Sequence, residues 1–196
     1  MLRSQDVRLI PRYSRAINYF RESREMAANR ENVPHRISTA ELPAESFRKI
    51  AHPVDASCVR QVFSLGDACG LSKLGVHFCR VEPHTQSSVV HCHSHDEEWV
   101  YILEAGAAGA TLLVHTGGDA EPREEKALKG DFFAFPANSG ISHALRAGDQ
   151  ELVYLCSGTR MDMDVCMYPT SGKTLVVDRT KGGSNWFVNE AAKEPW

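Results

Sequence analysis

Ser87 to Leu103 reads S-S-V-V-H-C-H-S-H-D-E-E-W-V-Y-I-L, and its reading decides the fold. His91 and His93 stand two apart in an apolar, β-branched run. Side chains on a strand alternate faces, so both imidazoles point one way and Cys92 points the other. Glu98 heads the next strand-like run, with Val100 and Ile102 on its own face and Trp99 and Tyr101 on the opposite one. Two imidazoles and a carboxylate directed into one apolar space are disfavoured unless something pairs them. A divalent metal is the readiest partner, because imidazole and carboxylate ligands suit Zn, Mn, Fe and Ni.

A second stretch, Gly130 to Ala147, reads G-D-F-F-A-F-P-A-N-S-G-I-S-H-A-L-R-A. A strand over Phe132–Phe135 ends at Pro136, a turn rich in Asn, Ser and Gly follows, and His143 opens a new run with Leu145. Taken together, H-x-H-x4-E followed by G-x5-P, a turn and a His resembles the two motifs of the cupin family, over roughly Leu65 to Tyr168. The resemblance implies a metal held by His91, His93, Glu98 and His143, one divalent transition ion per chain. It also implies an all-β fold, a small antiparallel, jelly-roll-like cupin β-barrel. Three departures stand out. Ala105 occupies the place of the glycine that closes the first motif, with Gly106 one residue late, so a bulge is expected there. Asn138 replaces a turn glycine, and Asn tolerates a left-handed backbone. Two extra residues lie between Pro136 and His143 relative to the shortest form of the second motif, similar to a longer P-A-G-x-G-I-x-H form in which an Asn follows the His by four residues, where this chain has Ala147.

The remaining chain is read around these motifs. Residues 1–50 form a helical or irregular N-terminal extension and linker, 51–180 the barrel, and 181–196 a tail. The first part is Arg-rich without strand pattern, with a helix candidate over Tyr13–Ala28. Such a start raises a mitochondrial address, but Asp6, Glu22, Glu25 and Pro11 oppose it, and the cytoplasm is the expected compartment. Met26 is an alternative start to Met1. Thr39 is placed as the cap of a short turn containing Pro43, Glu45 and Phe47, and Gly66–Gly70 as a loop. Short strands with hairpin-sized gaps then run from Cys58 to Tyr168, with a further strand over Leu175–Val177. Glu121–Lys126 reads as a solvated edge or loop.

Composition narrows the function classes. A formal net charge of -3, without a basic stripe, gives no reason to expect nucleic acid. No apolar run reaches the ~20 residues of a membrane span. The six cysteines contain no C-x-x-C pair and are expected as reduced core residues.

His95 shares parity with His93 but lies in the turn-like run Ser94–Glu97, which places it on the surface. His77, Tyr101, Arg146 and Tyr154 are weak candidates for acid, base or anion contacts, and Arg160 for a substrate carboxylate. His84 and His115 show no partner. Trp99 and Tyr101, opposite the ligands, suggest a homodimer face. Three His and one Glu leave coordination positions open, as a catalytic site requires. The resemblance therefore implies a metal-dependent enzyme on a small polar molecule, an organic acid or sugar derivative. Oxygenase, lyase, decarboxylase and isomerase are all compatible with it, and the alternative is a non-catalytic ligand-binding or sensing cupin.

Overall fold

Strand alternation carries through into the computed structural model, which describes residues 33–180 and 184–189. In chain order the strands are β1 (Arg48–Ala51), β2 (Val59–Ser64), β3 (Leu74–Val81), β4 (Cys92–His93), β5 (Glu98–Glu104), β6 (Ala110–His115) and β7 (Arg123–Ala127). They continue with β8 (Phe132–Phe135), β9 (Ser142–Arg146), β10 (Leu152–Thr159), β11 (Met163–Tyr168), β12 (Lys173–Asp178) and β13 (Ser184–Asn189). All pair antiparallel, in a six-stranded sheet β1-β2-β3-β10-β5-β8, a four-stranded sheet β13-β12-β11-β4 and a three-stranded sheet β7-β6-β9. Among the described residues no continuous ladder closes these sheets into a barrel; the fold is an open jelly roll. An isolated antiparallel bridge, His91 with His143, joins the four- and three-stranded sheets.

The main core lies between the six-stranded and three-stranded sheets. Ile102 and Leu152, both fully buried, meet Leu112, Val114 and Leu145 there. A second cluster of Cys58, Val89, Cys166 and Tyr168 fills the end covered by the four-stranded sheet. Along β5, Val100 and Ile102 are buried while Tyr101 is 40% exposed, the alternation expected from the sequence. All six cysteines are free thiols; Cys79 and Cys156 stand 3.8 Å apart between their sulfurs.

Four local expectations change. Leu65–Ala68, placed in a loop, is a single helical turn, here α1. Ser64 Oγ donates to Asp67 Oδ2 at 2.7 Å, and a Cβ on Gly66 would sit 2.9 Å from the Val76 backbone nitrogen. Only glycine allows that turn to lie against β3. Thr39 does not cap: it opens a 3-10 turn (Thr39–Glu41) preceded by Ser38, without a side-chain cap, and a second turn covers Ala44–Ser46. The expected strand over Val89–His93 is reduced to β4 plus the His91 bridge. Strands β1 and β13 extend the sheets beyond the segment read as barrel; β1 ladders onto β2, and Phe47 packs on Phe78 with ring centroids 5.7 Å apart. The bulge near Ala105 is present: Val153 pairs with Glu104 but Tyr154 with Ile102, so Leu103 is the extra residue. Asn138 adopts φ 56°, the left-handed turn for which Asn was read as competent. The helix candidate over Tyr13–Ala28 lies outside the described residues.

Ile102→Ala empties a fully buried position in the main core and is expected to destabilise by about 2–5 kcal/mol in denaturant unfolding. Leu71→Ala, at 44% exposure, should stay within about 0.5 kcal/mol.

Candidate metal centre

The His91–His143 bridge is made by two backbone hydrogen bonds, His91 N to His143 O at 3.1 Å and His143 N to His91 O at 2.8 Å. Main-chain geometry thus sets the two imidazoles side by side, with centroids 5.0 Å apart. The His143 ring also stacks on Phe135 at 3.4 Å and 3°. His93 follows on β4, its ring 5.2 Å from that of His91. Glu98 comes from the facing six-stranded sheet, where its cross-strand neighbours are Phe135 and Gly158. Its Oε2 lies 3.2 Å from His143 Nε2, 3.7 Å from His93 Nε2 and 3.8 Å from His91 Nε2. The four residues that the sequence motif singles out therefore converge on one point.

Hydrogen bonding orients two of the rings. His91 Nδ1 lies 2.8 Å from the Val89 carbonyl, which can only accept, so Nδ1 carries the proton and the Nε2 lone pair faces the centre. His93 Nδ1 donates to Asp164 Oδ2 at 2.6 Å. Asp164 is fully buried, and its Oδ1 accepts from the backbone N–H groups of His95 at 2.9 Å and Asp96 at 3.2 Å. The same carboxylate thus aims His93 and ties down the turn leading to Glu98. A carboxylate behind a ligating imidazole is a recurrent means of raising its basicity.

Electrostatics follow from these contacts. Burial pushes the Glu98 carboxyl up, but the imidazoles, His143 foremost, more than reverse it and hold it below the usual range. Burial drives His91 well below its ordinary value, with His143 adding to the effect. For His93 burial acts downward too, yet the Asp164 contact prevails and raises it. Glu98 Oε2 is buried without a hydrogen-bond partner among the described residues, and its contact with His143 lacks hydrogen-bonding alignment. A buried carboxylate oxygen left unsatisfied before three imidazole nitrogens is the arrangement a divalent cation fits. Potential ligand atoms of His91, Glu98 and His143 lie within 4.8 Å of one another, and those of His91, His93 and Cys166 do so as well.

A cavity of about 370 Å³ opens beside this centre. Its wall includes Arg60, His77, Tyr154, Cys156 and Tyr168. His77 is held neutral, its value lowered to about 4 by burial and by Arg60 and Arg160, and its Nδ1 has no partner among the described residues. The other candidates fall elsewhere. His95 is exposed, its ring hydrogen-bonded to Ser94. His84 is exposed near Asp149, and His115 is buried at the end of β6. Arg146 pairs with Glu124 at 2.8 Å outside the cavity, and Arg160 lines the cavity but pairs with Asp67 at 2.6 Å. Tyr101 points outward. Asp164, Cys166 and Arg60 were not singled out from sequence. Arg60 had a signal, since it shares strand parity with buried Val62; Asp164, in a run distant from the motifs, had none.

No family model matches the sequence, and no curated protein matches it. Solved structures do. A protein provisionally named a sugar phosphate isomerase, from Acidithiobacillus ferrooxidans, is 29% identical, with a TM-score of 0.69 over 82% of this chain and 96% of its own. A sugar phosphate isomerase of the cupin superfamily, from Silicibacter pomeroyi, is 26% identical, with a TM-score of 0.62 over 80% of this chain and 96% of its own.

Replacing Asp164 with Ala strands the donors of His93, His95 and Asp96, each unsatisfied group costing about 1–3 kcal/mol. Denaturant unfolding of Asp164→Ala should show a loss above ~3 kcal/mol, while His95→Ala, exposed, should change stability by less than ~0.5 kcal/mol.

Proposed function

We propose that this chain, a cupin by its fold, binds one divalent transition metal through His91, His93, Glu98 and His143 and uses it as an enzyme on a small phosphorylated or acidic sugar derivative. The observation that carries the reading is the buried Glu98 oxygen, 3.2–3.8 Å from three Nε2 atoms and otherwise unpartnered among the described residues. Two neighbours above a quarter identity are named sugar phosphate isomerases, which supports isomerisation as the reaction class.

Bound there, a divalent ion supplies Lewis-acid polarisation of a substrate oxygen. The protein's own groups do the rest. Glu98 furnishes the anionic charge that three neutral imidazoles lack. Asp164 keeps the His93 lone pair directed inward. His77, neutral and lining the cavity, is the proposed group that takes a proton from one carbon and returns it to the next.

Elemental analysis after loading with Mn, Fe, Ni or Zn should find one ion per chain in wild type and in His95→Ala. Glu98→Ala should lose most of it, because it removes the anionic ligand, and chelator should lower the thermal midpoint of wild type and His95→Ala but not of Glu98→Ala. Interconversion of aldose and ketose phosphates should require the ion and vanish in His77→Gln with metal content intact. Full metal retention in Glu98→Ala overturns the ligand set; turnover unaffected by chelator overturns the metal-dependent reaction.

The same reading includes a homodimer. Trp99 packs on Phe132 at 5.8 Å on the outer face of β5 and β8, where Phe132 is 60% and Tyr101 40% exposed. Light scattering should give a dimer mass that Phe132→Glu shifts to monomer; a monomeric wild type at tens of micromolar counts against it.

A further inference from the structure

Three arginines line the cavity, and they are not equivalent. Arg160 is 2.6 Å from Asp67 and Arg179 is 2.7 Å from Asp96, so each carries its own counter-charge. Arg60 makes no ion pair among the described residues; the Glu98 carboxylate, lining the same cavity, acts on it only from beyond ion-pair distance. The Arg60 hydrogen bond among those residues is a long one, Nη1 to the Ser87 carbonyl at 3.4 Å, and its Nε–H is buried without an acceptor. It stands on β2 on the same strand face as Val62, inside the wall that includes His77 and Tyr154.

A guanidinium stays protonated at any ordinary pH, so this charge cannot be relieved by losing a proton. Burying a cation without a partner is disfavoured, and a buried donor left unmade adds to the penalty. Such a group persists where a ligand completes it. The guanidinium fork matches two oxygens of a phosphate or carboxylate, and an arginine already held in place loses little freedom on binding. Around it the cavity offers neutral donors and no second free cation among the described residues. Tyr154 is 3% exposed, and burial keeps its hydroxyl protonated. That set holds one anionic group rather than several.

We infer that Arg60 is the recognition residue for an oxyanion, a phosphate or carboxylate, carried by the small molecule that the cavity admits. The binding itself needs only Arg60 and the cavity. That the rest of the molecule then reaches the His91–His93–Glu98–His143 centre rests on the function proposed above.

The test follows arginine Nε–H resonances of the full chain by 1H–15N NMR, in chelator-treated protein and in protein loaded with zinc. The probes are glucose 6-phosphate, gluconate and glucose. One resonance, missing in Arg60→Lys, should shift with an acid and not with glucose, and that acid should bind at least about tenfold tighter than glucose, the size of a lost charge-assisted hydrogen bond. A shift with glucose 6-phosphate alone assigns phosphate; one with gluconate alone assigns carboxylate. Arg60→Gln should abolish the tenfold preference with metal content unchanged, and Arg60→Lys should retain part of it. Equal affinity for both acids and glucose overturns the inference, as does an undiminished preference in folded Arg60→Gln. If Arg60→Gln does not fold, the wild-type comparison and the missing resonance in Arg60→Lys decide. A response in chelator-treated protein that takes up no metal supports Arg60 while the metal reading fails. No response in protein that binds its ion overturns Arg60 and leaves the metal reading standing.

Discussion

Two backbone hydrogen bonds between His91 and His143 are the constraint on which the site depends. They form the bridge that joins the four-stranded and three-stranded sheets, so fold and site share one junction. Val89, just before His91, belongs to the cluster with Cys166 and Tyr168, while Leu145, just after His143, belongs to the main core. Val90 and Ala144, flanking the bridge, pack together with Leu113. Apolar packing on both sides therefore holds two imidazoles at fixed spacing without relying on the rotamers of long side chains. Glu98 approaches from the facing sheet, and the residues that follow it across β10 and β3 are Gly158 and Gly75. The missing side chains leave room beside the carboxylate; a Cβ on Gly75 would come within 3.2 Å of both His77 and Arg160.

Two carboxylates, Asp164 fully buried and Glu98 with a buried Oε2, show how saturation separates scaffold from site. Asp164 has both oxygens engaged by His93, His95 and Asp96, and these donors hold it ionised despite burial. Nothing further is needed to stabilise it, and it acts by orienting what it touches. Glu98 has an oxygen with no donor among the described residues. The cavity arginines divide in the same way, Arg160 and Arg179 in ion pairs and Arg60 in none among the described residues. The unsatisfied groups of both signs face one cavity. Unmet hydrogen-bonding capacity in a buried setting is where a ligand gains most, because the protein has already borne the desolvation.

Much of this was legible along the chain. Period-two alternation places His91 with His93 and Glu98 with Val100 and Ile102, since neighbouring Cβ atoms on a strand point to opposite faces whatever the strand pairs with. The left-handed turn at Asn138 and the bulge beside Ala105 were readable because turn geometry is local. Alternation failed where side chains compete for one partner. Arg146 and Arg160 looked available as isolated residues, but each meets a carboxylate distant in the chain, Glu124 on β7 or Asp67 in α1. The helical turn at Leu65–Ala68 was missed because its cause is the closeness of Gly66 to Val76, a contact between elements.

Sequence by itself determined the all-β class and the strand faces, because these follow from backbone periodicity; that His143 joins His91, His93 and Glu98 came from the resemblance of the two motifs to the cupin pattern. Tertiary structure alone decided that Asp164, 71 positions further along the chain, stands behind His93, and that Arg60 is the cavity arginine without an ion-pair partner among the described residues. It also decided that the four- and three-stranded sheets meet at an isolated bridge, with no continuous ladder closing a barrel among the described residues. The physical reason is that pairing and burial depend on which segments the fold brings into contact, and charge satisfaction is a property of those contacts rather than of any one residue.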